Sequence, residues 1–494
     1  MTPRSTLLAR YAAAIFFALA ASAFAAATLD DTAKVLAGLP PSGASPLEPL
    51  TADTAYKGEA SMFAEMWRRF EEKQLSRVRA WADRELPGVR EQSPVLYYTF
   101  SGPDIVYANT FFPDCKTYVM CGLEPVGKAP DLLSVPSDRL DDALRRLYGS
   151  LDTVLALGFF KTADMGSDFR NPDLPGITPV LMTFLGRLGK TVKSVDLVSL
   201  DREGNELPRD PASAEASDDR TPGVKIVFDS GQGTPEQKVY YFSTNISNEG
   251  LGKNPGFANF CRKLEPGAGL VKAASYLMHT SPFSATRDFL MERCKFILQD
   301  DTGIPATVFA DNKWQMRPYG RYIRPIDMFR GNYQKKLAEI HAAGDGVPLD
   351  FGIGYYYRVA DCNVLLASRD ENSVVVAATP GAASVATEKE ATPAPIPEPV
   401  ASVASSKVAE EPTPEPETTI TVAASAPSSA VTEAVVVAAN EVTSEAKFPR
   451  KRLVELETEE LRIRKDPNLT KKERMEKLRE IWKRQLEVMG KKTF

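Results

Sequence analysis

A long segment near the C-terminus limits how much of this chain can fold. Residues 379–446 consist almost entirely of Ala, Val, Pro, Glu, Ser and Thr, and contain no aromatic residue. A segment of this composition buries too little apolar surface to offset its loss of conformational entropy, and its prolines favour an extended backbone. We therefore predict a disordered stalk over residues 379–446, with the main folded core before it and a short tail after it.

The tail, residues 447–494, differs sharply from the stalk in charge. It contains 16 lysines and arginines and 9 acidic residues, a net charge of +7; the whole chain carries −5, so the residues before the tail carry −12. Two apolar-periodic segments flank an Asp-Pro-Asn turn, and Thr470 and Glu473 form a capping box for the second. The pattern predicts a basic amphipathic helical hairpin.

The apolar stripe of this hairpin includes Trp482, which we take as a binding residue. A short hairpin is marginally stable alone, so its apolar stripe is expected to pack against something. The stripe has several expected partners: its own hairpin, another copy, the body, a protein partner, an envelope glycan or an anionic membrane surface. A weakly folded, solvated hairpin is the alternative.

The N-terminus has the pattern of a secretory signal. Arg4 and Arg10 are followed by a short apolar run and then by Ala23-Phe24-Ala25, which is typical of a signal-peptidase site. The apolar run is shorter than a transmembrane helix requires, and no later run is long enough. We predict a cleaved signal peptide over residues 1–25, with an uncleaved anchor as the alternative. No transmembrane span is expected in the mature chain, and the expected location is the periplasm, the outer envelope or the extracellular space.

The cysteines fit an oxidising compartment without defining a disulfide framework. There are five, so at least one cannot pair within the chain. Cys115 and Cys121 would lie about 20 Å apart if they share one strand, which is beyond disulfide reach. No C-x-x-C motif is present, so neither a zinc site nor thioredoxin-like chemistry is predicted.

The body is predicted to be α+β, with one large mixed domain of antiparallel strands and packed helices over residues 51–375. Residues 26–50 are predicted to be flexible. Near-helical spacing of apolar residues predicts helices over 59–86 and from Ser137, and another over 284–298. Three aromatic and β-branched runs between residues 95 and 124 predict an antiparallel meander. Residues 350–368 are predicted to form a closing hairpin.

No sequence motif identifies a catalytic reaction. The chain has two histidines, and no phosphate-binding glycine pattern or serine-hydrolase elbow. Carboxylates in turns beside aromatic residues leave glycan hydrolysis by a pair of acids as a hypothesis. The weak catalytic candidates are Asp104, Asp114, Glu124, Asp168, Asp301 and His279. The aromatic residues that could stack on sugar rings are Tyr97, Tyr107, Phe112, Trp314 and Tyr319. No metal site and no cofactor are predicted.

A cationic, aromatic strip follows at residues 314–329. Arg317, Arg321 and Arg324 alternate with Trp314 and Tyr319, a combination that suits an anionic polymer. The alternative is a set of structural contacts between these arginines and an acidic body. The acidic body and the expected export both argue against nucleic acid as the ligand.

Two functions therefore remain open. The first is a non-catalytic binding or scaffold role for an exported, bacterial-type envelope or secreted protein, in which the stalk presents the basic helices for tethering or partner binding. The second is a secreted or periplasmic hydrolase that acts on a glycan through paired carboxylates. A gathering of two of the candidate acids in the folded body would favour the second function.

Overall fold

The computed structural model of the chain describes residues 27–157, 172–209, 219–231, 233–344, 347–355 and 362–369, together with the isolated positions Glu459, Glu473 and Lys477. Within these ranges the side chains at 138, 152–154, 156 and 157 are left out of the description. The chain divides into two units, Met1–Val385 and Ala386–Phe494. The predicted signal peptide and stalk, the tail apart from those three positions, Trp482 and Asp168 all lie outside the described residues. Among the described helices, none is long and apolar enough to cross a membrane.

Ten strands form one mixed sheet in the order β4-β3-β5-β6-β2-β1-β7-β8-β10-β9. The five strands β6, β2, β1, β7 and β8 are parallel to one another, and antiparallel strands extend the sheet on both sides. The strands are β1 (Val95–Tyr98), β2 (Thr117–Gly122), β3 (Thr191–Leu200), β4 (Glu206–Pro208), β5 (Thr221–Asp229), β6 (Gln237–Ser243), β7 (Gly267–Val271), β8 (Cys294–Gln299), β9 (Gln315–Gly320) and β10 (Asn363–Ser368).

Helices cover both faces of this sheet. The α-helices are α1 (Leu29–Leu36), α2 (Glu48–Ala52), α3 (Thr54–Phe70), α4 (Ser76–Glu85), α5 (Pro87–Glu91), α6 (Ile105–Phe111), α7 (Ser137–Leu157), α8 (Thr178–Arg187), α9 (Asn248–Lys253), α10 (Gly256–Lys263), α11 (Ser284–Arg293), α12 (Ala306–Asp311) and α13 (Lys335–Ala343). A π-helical turn, Glu71–Leu75, joins α3 to α4. Short 3-10 segments lie at Leu132–Ser134, Leu277–His279, Ser281–Phe283 and Asp327–Asn332.

The two faces of the sheet form two hydrophobic cores. Leu96 and Tyr98 of β1 pack into the first core with side chains from α1, α3, α4, α6, α7 and α8. Val95 and Tyr97, which alternate with them, pack into the second core with α10, α11, α12 and α13. Successive side chains of a strand point to opposite faces, so a strand covered on both sides is apolar throughout. This arrangement confirms the predicted α+β class.

The predicted antiparallel meander over residues 95–124 is wrong. Its middle segment is helix α6, and β1 and β2 on either side of it are parallel. All seven residues of α6 are buried, so the helix has no polar face from which a 3.6-residue period could be read. Its Val, Tyr, Thr and Phe residues favour a strand by composition alone, and tertiary packing overrides that preference.

Three further boundaries differ from prediction. The segment 284–298 is not one helix, because α11 ends at Arg293 and β8 begins at the next residue. The N-terminal segment 26–50 contains α1, whose Ala33, Val35 and Leu36 are buried in the first core, so the body begins before residue 51. The closing hairpin is also wrong, since β10 pairs with β8 and β9 instead of with residues 350–355. The long helix before residue 86 and the helix from Ser137 are confirmed as α3–α4 and α7.

Candidate functional site

The carboxyl ends of β1 and β7 meet at the centre of the parallel strands. These strands are neighbours, yet the chain leaves them in opposite directions across the sheet. The connection after β1 runs through α6 on the first face to β2, and the connection after β7 runs through α11 on the second face to β8. Loops that diverge at such a point leave a crevice, which is where open α/β sheets bind their ligands.

An ion pair joins the two loops at this point. Asp104 follows β1, and its Oδ2 lies 2.8 Å from Nζ of Lys272, the residue that follows β7. Asp104 and Lys272 are only 1% and 2% exposed. The Tyr98 hydroxyl donates to Asp104 Oδ2 at 2.9 Å, and the Tyr107 amide donates to Oδ1 at 3.2 Å, as expected of a residue that caps α6. The Lys272 ammonium also lies 3.9 Å from the centre of the Tyr107 ring, a cation–π contact.

The backbone after Lys272 is strained. Ala273, Ser275 and Tyr276 have φ values of 52°, 51° and 57°, in the left-handed region that residues with a Cβ rarely adopt. Among the described residues the only other non-glycine with positive φ is Lys313. The turn lets the Ala273 amide donate to Asp300 Oδ2 at 2.8 Å. Strain of this kind is retained where the surrounding structure requires one geometry, and it concentrates at functional sites.

Two consecutive aspartates follow β8, and the first is fixed in place from several sides. Asp300 is 2% exposed and accepts hydrogen bonds from the Ala273 amide and from both the amide and the hydroxyl of Thr302. Burial raises the pKa of Asp300, while these hydrogen bonds and the nearby charge of Lys272 oppose that increase. Gly354, with φ +58°, lies against Asp300, and a Cβ at that position would collide with the carboxylate oxygen Oδ2.

Asp301, the second of the pair, is 1% exposed. Its carboxylate accepts hydrogen bonds from the Tyr276 hydroxyl and, at 3.2 Å, from Asn363 Nδ2. Burial and the neighbouring charge of Asp300 raise the pKa of Asp301 to about 7. A carboxyl group with this pKa exchanges its proton near neutral pH, as general acid–base catalysis requires.

His279 lies beside this pair. Its ring packs edge-on against Tyr276, with 5.1 Å between ring centroids, and burial lowers its pKa to about 4. The imidazole is therefore neutral at pH 7, and its Nε2 is buried without a hydrogen-bond partner. The sequence-based candidates Asp104, Asp301 and His279 are thus brought to one region.

Of the remaining candidate acids, Asp114 has no described contact that joins it to this cluster, and Glu124 has a separate partner. Asp114 is exposed in the turn that precedes β2, at the opposite edge of the parallel strands. Glu124 follows β2 and is buried, where it accepts a hydrogen bond from the Tyr241 hydroxyl at 2.6 Å. Asp168 lies outside the described residues.

The cationic strip divides into a structural part and an exposed part. Arg317 pairs with the buried Glu85 at 3.0 Å, and the Tyr319 hydroxyl donates to the same carboxylate. Trp314 is 6% exposed and packs under Arg369. Arg317, Trp314 and Tyr319 therefore make structural contacts, and their binding role stays a prediction. Arg321 and Arg324 are exposed and remain candidates.

The predicted sugar-stacking rings are also core residues. All five are at most 6% exposed, so none presents a face to a ligand: Tyr97, Tyr107, Phe112, Trp314 and Tyr319. Aromatic residues at strand or helix spacing fill cores more often than they line binding surfaces. The exposed aromatic residue of this region is Tyr333, which is 53% exposed.

Four residues of the site were not predicted from the sequence: Asp300, which is held beside Asp301 by hydrogen bonds, and Lys272, Tyr276 and Asn363. Lys272 had one usable signal, since it is a single cation directly after the apolar strand Gly267–Val271.

All five cysteines are buried free thiols, which agrees with the prediction that Cys115 and Cys121 do not pair with each other. Among the described residues, no group of three or more His, Cys, Asp or Glu is placed to hold a metal ion.

Comparisons with protein-family models, with curated proteins and with solved structures found no match to this chain.

Proposed function

We propose that the body is a hydrolase that uses Asp301 as a general acid–base, and that its substrate is a glycan outside the cytoplasm. The observation that carries this proposal is the buried Asp301 carboxyl, with a pKa of about 7, next to Asp300 at the divergence of the β1 and β7 loops. Buried carboxyl groups whose neighbours raise the pKa towards the working pH are typical of catalytic acids. The export of the chain is part of the same proposal and rests on its N-terminal sequence.

The two aspartates have different roles in this mechanism. Protonated Asp301 donates its proton to the leaving oxygen as the scissile bond breaks. The carboxylate that remains then accepts a proton from the attacking water, whose oxygen forms the new bond. Asp300 is a positioning residue, because its hydrogen bonds from Thr302 and Ala273 fix a negative charge beside Asp301. Lys272 positions the loops by pairing with Asp104.

The test is release of new reducing ends from isolated envelope glycan and from a panel of purified polysaccharides. We expect the native chain to release them and Asp301→Asn to be slower by about 100-fold or more, the usual contribution of a general acid. Activity should fall as the pH rises above about 7, because the acid form of Asp301 is lost.

Asp114→Asn is the matched control, since Asp114 is an exposed turn acid at the far edge of the sheet. Its activity should equal that of the native chain. The proposal is refuted if the native chain releases no reducing ends, or if Asp301→Asn retains the native rate.

A second function, tethering, is favoured by the charge asymmetry between the +7 tail and the rest of the chain. We propose that residues 447–494 bind an anionic envelope surface. Deleting them should release the protein from isolated envelopes, and added salt should have the same effect because it screens exposed charges. Unchanged retention in both experiments would exclude tethering by the tail.

A further inference from the structure

One segment, Arg321–Tyr333, packs against the residues that surround Asp301. Phe329 lies at its centre, with its ring 5.2 Å from that of Tyr276 and 5.4 Å from that of Tyr355. Tyr276 in turn donates its hydroxyl proton to Asp301. Phe329 therefore lies over the residue that covers the catalytic carboxyl.

Hydrogen bonds attach the end of this segment to the site. Gln334 Nε2 donates to the Asp301 backbone carbonyl at 2.8 Å, and the Gln334 amide donates to the Tyr322 hydroxyl at 2.9 Å. Tyr322 stacks on Tyr333, with 5.9 Å between centroids and 19° between planes. Tyr333 is 53% exposed, so the outer face of this stacked pair is open to solvent beside the site.

The exposed side chains of the segment are cationic and apolar. Arg321, Arg324 and Arg330 are all exposed, and Asp327 is the only acid between residues 321 and 333, which leaves a net charge of +2. Three of the six exposed large hydrophobic side chains among the described residues also belong to it: Ile323, Met328 and Tyr333. Residues 51–375 carry a net charge of −4, so this segment is a local positive surface on a weakly acidic body.

We propose that Arg321–Tyr333 is the substrate-binding rim and that it selects a glycan bearing anionic groups, either carboxylate or phosphate. This proposal rests on the proposed function, since it names the substrate class of the same site. Guanidinium groups bind carboxylates and phosphates through paired hydrogen bonds, and the exposed face of Tyr333 offers an apolar surface for a sugar ring. The rim binds such a glycan next to Phe329. The sugar unit that reacts then approaches Asp301 from the side on which Phe329 and Tyr276 lie.

Binding is tested separately from catalysis by using full-length Asp301→Asn as the background. The probes are polygalacturonate for carboxylate, phosphomannan for phosphate and dextran as the neutral polymer, each included in an affinity gel. Combining Arg321→Gln, Arg324→Gln and Arg330→Gln should weaken retardation by at least one anionic polymer about tenfold, the effect of losing three exposed charge pairs. Tyr333→Ala should also weaken it, which purely electrostatic binding by the basic tail does not predict.

The matched control replaces three exposed arginines on helices of the other face, Arg68, Arg69 and Arg146, with glutamine. The rim proposal is overturned if the rim variant and this control are retarded equally by the anionic polymers. It is also overturned if dextran retards the Asp301→Asn chain as strongly as the anionic polymers do. The catalytic proposal is judged separately by reducing-end release, so a rim that binds in a chain without hydrolytic activity would refute the function alone.

Discussion

Replacing Asp301 with asparagine should change how the stability of the body depends on pH. The ordinary pKa of the carboxyl is 3.8 and the folded value is about 7. Each pKa unit corresponds to about 1.4 kcal/mol, so this difference corresponds to about 4 kcal/mol. Because the folded pKa is the higher one, the folded chain holds a proton between pH 4 and 7 that the unfolded chain has lost. The Asp301 contribution is therefore fully present below pH 4 and is lost as the pH rises through 7.

The assay is urea denaturation of the native chain and of Asp301→Asn from pH 4 to 8.5. The free energy of unfolding of the native chain should fall relative to the variant by about 4 kcal/mol across that range. Asn363 Oδ1 has no hydrogen-bond partner, so a rotated Asn363 amide can accept a hydrogen bond from the introduced amide and the variant should fold. Asp288→Asn, at an acid whose side chain is 71% exposed, is the control. A pH-independent difference between native and Asp301→Asn would show that the folded chain does not hold this proton between pH 4 and 7.

The remaining predictions concern the ion pair, the thiols and the stalk. Lys272→Met leaves Asp104 buried and unpaired and should cost about 3–5 kcal/mol of stability in thermal or urea unfolding, whereas adding Asp104→Leu should restore much of it; equal losses in both variants would contradict a specific pair. All five cysteines are buried, and burial raises their pKa, so an aromatic disulfide reagent should react with none in the native body and with five after denaturation; rapid reaction of a native thiol would disprove this. Truncation after Ala378 should leave the thermal transition of the body unchanged by calorimetry, and a large decrease would show that the removed residues stabilise it.

The parts of the fold that could be predicted are those with a strong local pattern. The apolar spacing of Phe63, Trp67 and Phe70 identified α3, and the leucine stripe after Ser137 identified α7. Helix α6 could not be recognised, because a helix buried on all sides has no amphipathic period. Strand order could not be predicted either, since the neighbours β1 and β7 lie far apart in the chain.

The site was predicted in part. The sequence predicts Asp104 and Asp301 as candidate acids because both are carboxylates in turns, and both lie in the cluster. Asp114 met the same criterion and lies at the other edge, because the direction of β2 relative to β1 is set by the crossover through α6. The partners that determine the chemistry, Lys272 and Asn363, come from distant strands, and no local pattern joins them to Asp301.

The last strand of the sheet has a consequence for synthesis. Asn363, which donates to Asp301, is the first residue of β10, while Asp104 and Lys272 come from earlier parts of the body. Contacts between distant parts of a chain form late, because closing long loops loses entropy before packing compensates for it. A nascent chain that has not yet released β10 lacks the Asn363 hydrogen bond to Asp301. We expect the proposed activity to appear only when β10 has joined the sheet, so chains that end before Asn363 should be inactive.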